Sequence, residues 1–443
     1  MRCIFAIKKI IVIAQMKLHT IATFNKMSSI CIKSCEKHTL LATIRFILFA
    51  CLVLIHFSTF GNSTSNTKDS SYPSINVLRK IASLQDEKTG SFESERKYFY
   101  SWDWKKDDNV FFTSLVIFTI KHYQNQLSDE EKNIVENIQC NSLPYFQQFR
   151  SPKNKYRYNF WRKTPPQVFP NGGWLNLFNK SMALPDDIDD CAMVAMVSEN
   201  DKNRVADLKK LFSKYASGVL KRNKTFYRKY REDRVYSTWL SEKYPVDIDI
   251  CVLSNVLLMN YFFDLPLNAL DSSSMNLIIH AIKDNKHLTD AEYVSKHYSN
   301  SSTIIYHMAR LMSFSNYEPL QELKGKLISD AKNLLSKTNH SLEKLLLYNS
   351  LLLMGDYSIT QESITEDDLQ ENTYPFFVAN MTATLTNPFN RIFNFFRIGR
   401  FNYYCNAFNQ SLLFENIMLQ ERKPLHSPNT STNKHSQQQE QHN

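Results

Sequence analysis

VLRKIASLQDEKTGSF, residues 77–92, is an apolar helical stretch that runs into a polar turn. Val77, Leu78, Ile81 and Leu84 recur at helical rather than alternating spacing, which predicts a helix with one buried face. The polar run then closes on Gly90 and Phe92. Glycine permits a backbone turn that other residues resist, and the aromatic ring is sized to plug the space beside a neighbouring hairpin. The same spacing recurs between residues 107 and 355, in segments such as 107–127, 128–149, 186–199, 247–263, 302–314 and 341–355. Several of them begin with a Ser or Asp able to cap exposed amides. Only 8 glycines occur in 443 residues, which argues against a sandwich, a barrel of strands or a dinucleotide-binding fold. The expected fold class is therefore all-α, with antiparallel helical hairpins stacked as a solenoid or closed as an α/α toroid.

Composition bounds the partners. The chain is 43% hydrophobic and 13% aromatic, an ordinary globular mix rich in Phe and Tyr. Its net charge of +10 is a local effect. Residues 1–60 hold eight Lys or Arg and one acid, a surplus of +7, which leaves 45 basic against 42 acidic residues, or +3, for the rest. Nucleic acid is not an expected partner. The apolar run 46–60, FILFACLVLIHFSTF, follows Lys33, Lys37 and Arg45 and precedes a polar linker, which reads as an export signal; it is shorter than the ~20 residues of a spanning helix. Counted from Leu40 it is long enough for an uncleaved anchor, with Arg45 inside it. The expected organisation is a signal or anchor with linker over 1–65, a helical domain over 66–420 and a polar low-complexity tail over 421–443. The location is then exported, periplasmic or secreted, or membrane-anchored through residues 40–60. Cys140, Cys191, Cys251 and Cys405 of the body fit two disulfides or four free thiols equally well.

Residues 77–92 resemble the repeat unit of the terpene cyclase and protein prenyltransferase superfamily, in which a helix ends in Leu-Gln and Gly plus an aromatic close the turn. FPNGGWLNLF, residues 169–178, is similar to a second such turn through Gly172, Gly173 and Trp174. The resemblance implies helical hairpins closed into a single barrel, squalene cyclase-like in kind.

LPDDIDDCAMVAMV, residues 184–197, sets four carboxylates ahead of an apolar helix. Asp187-Ile188-Asp189-Asp190 matches the DxDD motif of class II terpene cyclases. That resemblance implies a catalytic set in which Asp189 is the acid that protonates a carbon–carbon double bond or epoxide, with Asp187 and Asp190 orienting and tuning it. Such chemistry needs a carboxyl held protonated, and crowded carboxylates in a low-dielectric cavity cannot all ionise together. The plainer alternative is an N-terminal cap, since acids in a first helical turn are favoured by the helix dipole.

A second acidic cluster, Asp247 and Asp249, precedes the helix in residues 243–257. It is expected, with Trp174, to line the same pocket as a second wall. Asp249-Ile250-Cys251 also resembles the Asp-x-Cys zinc ligands of prenyltransferase β-subunits, with His307 as the possible third ligand; without that site no metal or other cofactor is expected. If both clusters face one cavity, an exported glycoside hydrolase or polysaccharide lyase is the rival enzyme, because an inverting glycosidase needs two carboxyls ~6.5–9.5 Å apart. A toroid that binds lipid or protein without catalysis is the third class. Residues 150–163 and 221–234 carry six and seven Lys or Arg, enough to attract an anionic group or a membrane surface. The reading is therefore an isomerase or lyase of class II terpene cyclase type acting on a small hydrophobic or anionic substrate, with membrane association possible.

Overall fold

The computed structural model describes residues 74–152, 154–164, 183–230, 234–370 and 374–422. The chain divides into two units, Met1–Ser70 and Ser71–Asn443. The expected leader, the tail beyond residue 422 and the turn holding Gly172, Gly173 and Trp174 lie outside the described residues.

The body is mostly helical. Its main helices are α1 (Ser74–Ser83), α2 (Val110–Lys121), α3 (Asp129–Gln147), α4 (Ile188–Ser198), α5 (Lys202–Ser213), α6 (Ile250–Phe262), α7 (Ala269–Lys283), α8 (Ser301–Phe314), α9 (Lys324–Leu335), α10 (Ser341–Leu353) and α11 (Asn406–Glu421). Two kinds alternate along the chain. In α2, α4, α6 and α8 the buried residues are consecutive over nearly the whole helix, so every face is covered. By contrast α1, α3, α5 and α9 bury one stripe, such as Val77, Leu78 and Ile81 of α1. A helix apolar all round is stable only when surrounded, whereas a striped one covers it and faces water with the other side.

Packing follows that division. Helix α2 packs on α4, α4 on α6, α6 on α8, α8 on α10, α10 on α11, and α11 on α2. Among the striped helices, α1 packs on α11, α3 on α2, and α9 on α10. Some polar residues inside the fully buried helices bond to their own backbone, as with Ser114 Oγ to the Phe111 carbonyl at 2.7 Å and Thr119 Oγ1 to Leu115 at 2.8 Å, and others reach a neighbouring helix, as with Ser254 Oγ to the His307 carbonyl at 3.1 Å. Paired in these ways, such hydroxyls do not compete with the packing.

The mostly helical body fits the expected helical class, and a few strands are added to it. β1 (Ser94–Tyr98), β2 (Lys105–Asp107), β5 (Phe377–Asn380) and β6 (Arg400–Tyr404) form an antiparallel sheet in the order β2-β1-β6-β5, and β3 (Arg150–Ser151) pairs with β4 (Asn154–Tyr158). Arg96 lies opposite Tyr403 and Val378 opposite Asn402. These partners come from the two ends of the body, so no local pattern announces them. Helix α9 is preceded by a short turn of helix, Glu318–Gln321, and separated from it by two residues.

The opening turn is built as its residues demand. Gly90 has φ +73°, and a Cβ there would stand 1.9 Å from the Asn141 carbonyl oxygen. Gln85 Nε2 donates to the Gly90 carbonyl and to the Ile138 carbonyl of α3, each at 2.9 Å, tying the turn to that helix. Phe92 is buried in the core. Gly90→Ala therefore combines a disfavoured backbone region with a backbone clash, and it should cost about 2–4 kcal/mol in urea unfolding; an unchanged midpoint would refute this account of the turn.

Candidate active site

A pocket with about 710 Å³ of empty space, its open mouth included, gathers the beginnings of the buried helices. Phe111 comes from the first turn of α2, Asp189 and Asp190 from that of α4, and Val252 from that of α6, while His297 stands just ahead of α8. Phe160, Trp161, Trp239 and Phe377 complete a largely aromatic wall. The rings contact one another: Phe111 and Phe377 have centroids 4.9 Å apart, and Phe160 stacks on Phe377 at 5.4 Å.

Of the four crowded aspartates, Asp186, Asp187 and Asp189 have separate partners, whereas Asp190 Oδ2 has none. Asp186 pairs with Lys163 at 2.8 Å. Asp187 is the N-cap of α4 and accepts from the Asp190 amide at 2.8 Å. Its place is held by residues 238–240: Ile188 donates its amide to the Thr238 carbonyl, Leu240 donates to Asp186, and Thr238 donates to the Asp247 carbonyl. The starts of α4 and α6 are thereby stitched together through one short segment.

Asp189 reaches across to two other elements. Its Oδ1 accepts from Asn255 Nδ2 of α6 at 2.7 Å, and its Oδ2 accepts from the Tyr298 hydroxyl. Asn255 is oriented in turn by Arg310 of α8, whose Nη2 donates to Asn255 Oδ1 at 2.6 Å. Because a guanidinium can only donate, the amide oxygen must face Arg310 and the NH₂ must face Asp189. Burial first, then the neighbouring charges of Asp187 and Asp249, push the Asp189 carboxyl up to about 7, with the two donors pulling the other way. Burial, reinforced by the charge of Asp187, raises Asp190 well above the carboxylate range, and burial also raises Asp187. At neutral pH the cluster therefore keeps protons, as crowding in a dry site requires.

The second acidic cluster sits one layer behind the wall, which corrects its expected place as the wall itself. Asp247 is in a fully buried ion pair with Lys296 and lies 3.7 Å from His297 Nε2. Burial works to raise its pKa, yet Lys296 and His297 hold it below the ordinary value. Asp249 caps α6, accepting from the amides of Cys251 at 2.9 Å, Val252 at 3.3 Å and His297 at 2.8 Å and from Ser295 Oγ at 2.6 Å. What faces the pocket is His297, set edge-on to Trp239 and stacked on Phe377. Burial opposes its charge, but Asp247 and Asp249 raise its pKa above the usual imidazole value.

The zinc alternative is not assembled. All four hydrogen bonds to Asp249 come from the protein, the Cys251 thiol is pushed well up by burial, and His307 Nδ1 bonds the Thr303 carbonyl of its own helix at 2.8 Å. Among the described residues no group of three His, Cys, Asp or Glu is placed to hold a metal ion. Cys140, Cys191, Cys251 and Cys405 are free thiols. Basic residues of 150–163 are engaged internally, with Arg162 on Asp108 at 2.9 Å and Arg157 on the Tyr215 hydroxyl at 2.6 Å.

Sequence reasoning missed Asn255, Tyr298, Arg310 and His297. Asn255 and Arg310 carried a signal, since each interrupts a continuous apolar helix where an unpaired polar group is costly. A titration test follows. Because the folded Asp189 carboxyl lies above its unfolded value of roughly 4, its stabilising contribution is complete below about pH 4 and is lost as pH rises through about 7. The urea midpoint of the wild type should therefore fall more steeply between those values than that of Asp189→Asn; parallel curves would mean that Asp189 titrates normally. Neither a protein-family model nor a curated protein sequence matches this chain.

Proposed function

We propose that α2, α4, α6, α8, α10 and α11 close into a single α/α toroid, and that the pocket at their starting ends carries out acid-initiated cyclisation of an isoprenoid-type substrate, as a class II terpene cyclase does. The succession of packings that leads from α2 back to α2 supports the closure. One observation carries the chemistry: Asp189, a buried carboxyl titrating at about 7, lines an aromatic pocket with each oxygen already accepting a hydrogen bond.

The step needs a proton delivered to carbon. Asp189 gives its proton to one carbon of a double bond, or to an epoxide oxygen, and the positive charge develops on the adjacent carbon. The carboxylate left behind is stabilised by Asn255 and Tyr298, which need not move, and by the positive ends of the helices that start there. The faces of Phe111, Phe160, Trp161, Trp239 and Phe377 supply cation–π attraction to the migrating charge. The negative charge of Asp187 helps burial keep the acid protonated, and Asp190, itself held protonated, tunes the cluster beside it. Export, or attachment to a membrane through residues 40–60, is part of the proposal.

An inverting glycosidase would instead require an ionised carboxyl facing the acid across the pocket, ~6.5–9.5 Å away, whereas Asp187 is the acid's near neighbour at the start of the same helix. Asp247 is held ionised but is bound to Lys296 behind the wall, which favours the cyclase.

Purified protein and Asp189→Asn, incubated with polyprenyl substrates and separately with acidic oligosaccharides, distinguish these readings. Cyclic hydrocarbons should form with wild type and fall by about 10²–10⁴-fold in the variant. Tyr298→Phe removes a donor to the carboxylate and should lower turnover by about tenfold while leaving substrate affinity unchanged. New reducing ends would select the glycosidase, and inertness in both arms a binding role.

A further inference from the structure

Exposed apolar side chains gather at one end of the four-stranded sheet. Tyr98 pairs with Phe401 and Asn380 with Arg400, which brings the β1–β2 turn and the β5–β6 connection to the same end. The turn carries Trp102, 94% exposed; the connection carries Phe389, Ile392, Phe395, at 80%, and Phe396. The two stretches touch, because the Tyr100 hydroxyl donates to the Phe396 carbonyl. So many large apolar groups in one place mark an interaction surface rather than ordinary surface scatter.

Its charge and its position indicate what covers it. Residues 381–400 contain Arg391, Arg397 and Arg400 and no acid. These three arginines share two carboxylates, Asp290 and Glu292, and the one acid of the β1–β2 turn, Asp103, is outnumbered by Lys97 and Lys105 beside it, so positive charge remains in excess. Two copies of such a face would set arginines against arginines, whereas an anionic surface complements them. Aromatic rings bordered by arginine are the composition of segments that lie in a membrane interface. Among the described residues no helix is long and apolar enough to cross a membrane. Met381 is both exposed here and part of the pocket lining, together with Asn380 and Thr384.

We propose that this face docks on a lipid bilayer bearing anionic headgroups, so that the pocket opens beside the apolar phase. The inference stands on the surface alone and is independent of the chemistry assigned to Asp189. The full chain, its leader common to every sample, is floated with vesicles of phosphatidylcholine containing a minor fraction of phosphatidylglycerol. Phe395→Asp with Phe396→Asp should reduce partitioning by about tenfold or more, whereas Val219→Asp with Leu220→Asp, exposed apolar residues outside this stretch, should not. Brominated lipid should quench wild-type fluorescence more than that of Trp102→Phe. Equal flotation of both double variants together with equal quenching would overturn the proposal. A wild-type dimer that the Phe395/Phe396 variant dissociates without lipid would overturn it in favour of a second copy. Both double variants alter only exposed positions, and circular dichroism confirms that each is folded.

Discussion

The amide of Asn255 is the contact on which the interior depends. It lies in a helix buried on every face, so both of its ends need protein partners, and they find them in opposite directions: Arg310 at the oxygen and Asp189 at the nitrogen. Burial without those partners would cost several kcal/mol. The arrangement continues away from the pocket. Arg310 lies over the rings of Phe118 and Tyr306, the Tyr306 hydroxyl donates to Glu415 at 2.6 Å, and Asn349 donates to the same carboxylate at 2.9 Å. Residues from α4, α6, α8, α10 and α11 thus share one polar chain inside an apolar core. Such a chain aligns helices more selectively than apolar packing, because a slipped helix leaves a charge unmatched.

At the pocket end the same chain has a chemical consequence. A carboxyl that is merely buried becomes a weak acid, since its conjugate base has no support. Asp189 is buried and also receives two donors, so it holds a proton near neutrality and leaves a stabilised carboxylate on giving it up. Asp190 lacks that balance and is pushed much further. Two adjacent residues of the same type thereby acquire different acidities from position alone. Behind the opposite wall, Asp247 is kept ionised by Lys296, and His297 is the group that reaches the aromatic surface.

The sheet shapes the other boundary of the pocket. β5 supplies Phe377 and Ala379 to its lining, and the connection that follows carries the apolar face next to it. One strand and its loop therefore serve an interior surface and an exterior one within a few residues, the strand being buried throughout and the loop largely exposed.

Helical periodicity, the turn at Gly90 and the acidic start of α4 were legible in the residues themselves, because spacing, positive φ and capping are local properties. Alternation of fully buried and striped helices could also have been read, from the continuous apolar runs of α2 and α6 against the spaced ones of α1 and α9. The pairing of Asp189 was not legible: its partners Asn255 and Tyr298, and Arg310 behind Asn255, stand 66, 109 and 121 positions further on, and nothing local says which polar group each meets. Nor was the sheet, whose strands come from the two ends of the body. What the chain alone determined is where helices start and which faces are apolar; what the tertiary structure decided is which polar group meets which, since hydrogen bonds and charge effects act through a few ångströms of space and take no account of separation along the chain.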